Sequence, residues 1–129
     1  MMTLQQLTEP LFQYICRLNH AGRLGAATDV GVTRRDIDEI FDQMRRESLR
    51  DPVLAEHYKQ MELPLVFFVD FIIAYSNLPF ASEWRKDENR LAYKRGERGG
   101  DEKFLDMLDG VLAPGSHAPP EHLAIYYTC

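Results

Sequence analysis

Apolar residues recur along the chain at helical spacing, except in one stretch where no polar side is left. Residues 63–80, LPLVFFVDFIIAYSNLPF, hold the densest apolar run, broken once by Asp70. Between positions 65 and 75 almost every side chain is large and hydrophobic, so a helix there is apolar on nearly all faces. Such a helix belongs at the centre of a bundle. β-Branching is modest, which makes a buried strand the weaker alternative. The run is shorter than the roughly 20 apolar residues of a membrane span. Pro64 and Pro79 bound it.

Amphipathic segments flank this run. Leu4, Leu7, Leu11, Tyr14, Ile15 and Leu18 predict a first helix over residues 3–19. Pro10 lies inside it, expected to split or kink it because proline lacks the amide donor. Residues 20–32, with Gly22, Gly25 and Gly31, read as a loop. Thr33 is the expected N-cap of a second helix ending near Leu49, with Asp36 in its first turn and Ile37, Ile40, Phe41 and Met44 on its buried stripe. Asp51-Pro52 is a start signal for a third helix leading to the core run, with Pro64 as a kink or a fresh start.

Past Pro79, Ser82 is the expected cap of a helix carrying Trp84, Leu91 and Tyr93. Gly99 and Gly100 form a structural turn, and Asp101 caps a helix that buries Phe104, Leu105, Leu108, Val111 and Leu112. Residues 113–120 read as a rigid connector, and Pro120 opens a last helix with Leu123, Ile125, Tyr126 and Tyr127. That helix stops at Cys129 after barely two turns, marginal in isolation, so the expectation is the front part of a longer protein. The whole reads as one all-α domain over residues 1–129, a bundle of about six to seven helices around the buried core helix.

Composition narrows the function. A chain of 129 residues suits one domain, and 45% hydrophobic with 27% charged residues is ordinary for a soluble one. A net charge of -5 argues against nucleic acid, since no basic excess displaces phosphate counterions. Cys16 and Cys129 lack metal or redox spacing, and no secretory signal opens the chain, which points to a reducing cytoplasm.

Candidate chemistry is sparse. His20, His57, His117 and His122 are scattered without metal-ligand spacing. No G-x-S-x-G occurs, Ser76 and Ser82 have no local base, and Cys16 reads as a packing residue. Arg98-Gly99-Gly100 precedes a helix start, but Asp101 and Glu102 would repel a phosphate. No cofactor is expected. Asp70 stands apart, because a carboxylate in so apolar a helix must pair, hydrogen-bond or take up a proton. A pair with an internal arginine, for example Arg90, is the favoured reading; a groove that binds a partner's Arg or Lys is the other. Two further functions stay open: a small hydrolase or transferase using Asp70 with a histidine such as His57, and a lipid-binding helical bundle.

Several pieces, read in order, resemble one family. They are the opening LTEPLFQYICRLNH, the core run followed by NLPF and Trp84, the segment LAYKRGERGGDEKFLDMLDGVL, and AIYYTC. Together they resemble the DotU/TssL family of type VI and type IVb secretion proteins over almost the whole chain. The chain departs where that family has an acidic pair ahead of a Pro-Trp: Ile72 and Ile73 stand there, Asp70 lies two residues earlier, Phe80 replaces the tryptophan and Ala81 the next glycine. The resemblance implies a non-enzymatic component of the inner-membrane complex, a helical hook of two small bundles on the cytoplasmic side, followed in the family by a C-terminal transmembrane helix. Its partners would be other membrane-complex proteins and the cytoplasmic baseplate, with a homodimer left open. Docking would use the groove beside the core helix, with Asp70, Phe80 and Trp84 as contact residues.

Overall fold

The computed structural model describes residues 2–25, 28–97, 102, 103, 105 and 106. The first helix, α1 (Leu4–Arg23), starts on a capping box: the Thr3 hydroxyl accepts from the Gln6 amide at 3.1 Å and the Gln6 side chain accepts from the Thr3 amide at 2.8 Å. Leu4, Leu7, Leu11, Phe12, Ile15 and Leu18 form its buried stripe. Pro10 does not break it. Pro10 is exposed, and the carbonyl it leaves unpaired, that of exposed Gln6, can bond water.

Both ends of the expected loop over residues 20–32 are helix, 20–23 and 30–32. α1 continues to Arg23 because Gly22 lets it lie against Leu78, where a Cβ would come within 3.2 Å of the leucine side chain and 3.3 Å of its amide nitrogen. Gly25, at φ 70°, makes the turn that follows. The second helix, α2 (Val30–Ser48), begins four residues before the expected start. Asp29, not Thr33, is its cap, accepting from the Gly31 and Val32 amides at 2.7 and 3.2 Å. Buried Thr33 instead returns its hydroxyl to the Asp29 carbonyl at 2.8 Å.

Asp51 caps the third helix, α3 (Pro52–Ala74), and Pro52 fills its first position. α3 runs unbroken through Pro64, joining the expected third helix and core helix into one element of 23 residues. The carbonyl that Pro64 orphans belongs to exposed Gln60, so the lost bond again falls on the solvent side. Leu54, Tyr58, Met61 and Leu65 bury one face of its first half; from Leu65 to Asp70 every residue is buried. α3 therefore packs on four other helices among the described residues, α1 and α2 on one part of its surface and two short helices near its C-terminal end. Each large apolar side chain enclosed this way contributes about 1.5–3 kcal/mol.

The helix expected from Ser82 through Tyr93 is replaced by three short pieces: α4 (Ala81–Trp84), a 3₁₀ turn (Asp87–Asn89) and α5 (Leu91–Lys94). Ser82 is exposed, and Phe80 takes the cap position without a side-chain bond. The fold is thus all-α: five α-helices and one 3₁₀ turn are placed among the described residues, with no strand. The structural turn at Gly99, Gly100 and Asp101, and the helix expected from Pro120, lie outside the described residues. So does most of the helix expected after Asp101; its Leu105, read as buried, is 46% exposed.

Candidate docking surface around Asp70

Asp70 is fully enclosed, yet both its oxygens are used. Oδ1 accepts from the Trp84 indole at 2.9 Å and from the Leu91 amide at 2.8 Å, and Oδ2 accepts from the Ala92 amide at 2.9 Å. Leu91 and Ala92 open α5, whose first amides have no partner within their own helix. The core helix thus supplies the cap that α5 lacks locally. This also explains the broken chain over residues 81–95. In one continuous helix the amides of residues 91 and 92 would bond carbonyls four residues back, and none would be left for Asp70.

Burial pushes the Asp70 carboxyl above its ordinary value, while the Ala92, Trp84 and Leu91 bonds and the charge of Arg90 pull it back. Arg90, the partner expected from the sequence, is buried as well and acts on Asp70 through its charge. It also donates to the Trp84 and Arg85 carbonyls at 3.0 and 3.1 Å, tying the backbone around the site.

The three candidate contact residues come together, but inside the protein: Asp70 is 0%, Trp84 1% and Phe80 9% exposed. Phe80 and Trp84 pack with ring centres 5.9 Å apart. Residues that sequence reasoning missed complete the arrangement. Arg34 of α2 lays its guanidinium 4.1 Å from the Trp84 ring centre and donates to the Asn89 carbonyl. Arg85 donates to the Ala74 carbonyl at 2.6 Å, closing the end of α3, and lies 5.5 Å from the Tyr75 ring. Asn89 donates to the Glu83 carbonyl at 2.8 Å. Residues 75–95 therefore form a clasp over the end of α3, pinned from below by Asp70 and from the side by Arg34. Its outer side exposes Tyr75, Ser82, Glu83, Lys86, Glu88, Tyr93 and Lys94.

His57 does not meet Asp70. Both lie on α3, 13 residues apart, which separates them by about 20 Å at 1.5 Å per residue. No proton passes directly between them, so the reading that pairs these two in catalysis is overturned. His20 lies exposed on α1, and His117 and His122 fall outside the described residues. Among the described residues no three His, Cys, Asp or Glu side chains gather as a metal site requires, and no helix is long and apolar enough to cross a membrane.

The family model described as type VI secretion system protein DotU matches residues 3–129. The chain belongs to the DotU family. No curated protein and no solved structure matches it. Membership makes the chain a component of type VI secretion, and the DotU match spans the Asp70 site and its clasp entirely.

Proposed function

We propose that this chain is a non-enzymatic scaffold of a type VI-like secretion membrane complex, on the cytoplasmic side of the bacterial inner membrane, where it docks baseplate proteins. The DotU match over residues 3–129 carries this reading. The geometry around Asp70 supports it: this carboxylate, the one buried acid among the described residues, is spent on indole and backbone donors, which builds a surface and leaves neither of its oxygens facing solvent. Asp70, Phe80 and Trp84 serve docking from beneath, by fixing the clasp whose outer charges and tyrosines meet the partner. A hook of two bundles, self-association and a membrane helix following the chain belong to the same reading. The apolar run that suggested lipid binding is covered by protein, since Leu65, Val66, Phe67, Phe68 and Val69 are all buried.

Co-isolation of the tagged full-length protein from cells making the secretion apparatus tests the proposal. Membrane-complex and baseplate proteins are expected to accompany it. Lys86→Glu combined with Lys94→Glu, both on exposed positions of the clasp, should lower the baseplate yield several-fold. Recovery of neither class of protein would overturn the proposal.

A further inference from the structure

Cys16, read from the sequence as a packing residue, is disulfide-bonded. It stands half-buried one turn past Phe12, on the same side of α1. Phe12 packs on Phe68 of α3 with ring centres 5.6 Å apart. The two helices run in the same direction: Thr3 and Leu4 lie by Asp51 and Leu54 at one end, and Gly22 lies against Leu78 at the other. Cys16 is therefore level with Ile72, one turn past Phe68, and Phe71 shares that side of α3. Phe71 and Ile72 are only half-buried, next to a stretch from Leu65 to Asp70 that is wholly enclosed. The face between α1 and α3 is thus apolar and carries a bonded sulfur.

The chain holds two cysteines, and the second, Cys129, lies outside the described residues. We propose that residues 123–129, LAIYYTC, seat on the α1/α3 face, with a Cys16–Cys129 disulfide at the contact and Ile125 and Tyr126 against Phe71 and Ile72. The helix expected from Pro120 carries Ile125 and Tyr126 at four- and three-residue steps from Cys129, on its side. Residues 107–129, at up to about 3.3 Å each, reach any point of the bundle from Asp106. The bond forms by exchange with a small-molecule disulfide such as oxidised glutathione. One protein thiolate attacks it and releases a glutathione thiol; the other attacks the mixed disulfide and releases the second, so two electrons and two protons pass to the small disulfide. On the cytoplasmic side, where such pairs are kept reduced, the two thiols lie in contact and the apolar side chains hold the segment. The inference stands apart from the docking surface, which uses residues 75–95.

The test follows closure of the reduced full chain in oxidised glutathione, by mass spectrometry of the linked peptides and by non-reducing electrophoresis. A Cys16–Cys129 peptide pair is expected within single chains. It should form at least roughly tenfold faster in buffer than in urea, because seating raises the effective concentration of one thiol at the other. Ile125→Ser combined with Tyr126→Ser, which leaves the described bundle untouched, should slow closure several-fold in buffer and leave the rate in urea unchanged. Linkage between two chains in place of closure within one would overturn the proposal. So would closure no faster in buffer than in urea, or a rate in buffer unmoved by the Ile125 and Tyr126 substitutions.

Discussion

Asp70 shows how one buried carboxylate organises its surroundings through donors that have no side-chain signature. Asp70→Asn keeps an oxygen for the indole and the Leu91 amide, but turns an NH₂ toward the Ala92 amide, two donors face to face. The expected cost is about 2 kcal/mol by denaturant unfolding. The difference should also depend on pH, with a sign set by burial. The folded-state pKa of Asp70 is raised above the ordinary 3.8. Its contribution to stability is therefore fully present below about 3.8 and falls as pH climbs through the raised value. The parent's advantage over Asp70→Asn should shrink across that window and then level off; an advantage that grows with pH would contradict the assignment. A polar residue inside an apolar run was legible as a site of consequence. Its partners were not, because two of the three are backbone amides 21 and 22 residues away.

At the scale of elements, the hydrophobic stripes were readable and the boundaries were less so. Leu4 through Leu18, the Ile37–Phe41–Met44 face and the apolar core run all lie where their spacing puts them. The start of α2 was displaced because Gly31 looked like a breaker, which hid Asp29 and left Thr33 as the cap. Gly31 costs a helix about 1 kcal/mol relative to alanine, which the two bonds to Asp29 offset. Asp29→Ala should thus cost about 1 kcal/mol in urea unfolding. Ser82→Ala, at a position read as a cap that makes no capping bond, should stay within about 0.5 kcal/mol. Comparable losses for the two would mean that the assigned caps are wrong. The short pieces over residues 81–95 were illegible for a different reason: local pattern favours one helix there, and only the distant Asp70 and Arg34 select the broken form.

For the whole molecule, the question is how a clasp of short helices keeps one shape on a larger bundle. α1, α2 and α3 bury long apolar stripes against each other, whereas α4 and α5 have four residues each and cannot persist alone. Their order depends on Leu91 and Trp84 in the core and on ties from Asp70, Arg34 and Arg85. Such a segment opens at lower free energy than the bundle beneath it. Removing the central tie should then separate docking from folding. In Asp70→Ala, the amides of Leu91 and Ala92 lose their acceptor, and hydrogen exchange across residues 81–95 should accelerate while α1 and the first half of α3 stay protected. The far-UV signal should be nearly unchanged and baseplate recovery should fall with the clasp. Tyr58→Phe, altered at the other end of α3, should leave that recovery intact. If Asp70→Ala instead unfolded α1 and α3 together with the clasp, the carboxylate would be a pillar of the entire core, and the idea of a docking element held on a separately stable bundle would fail.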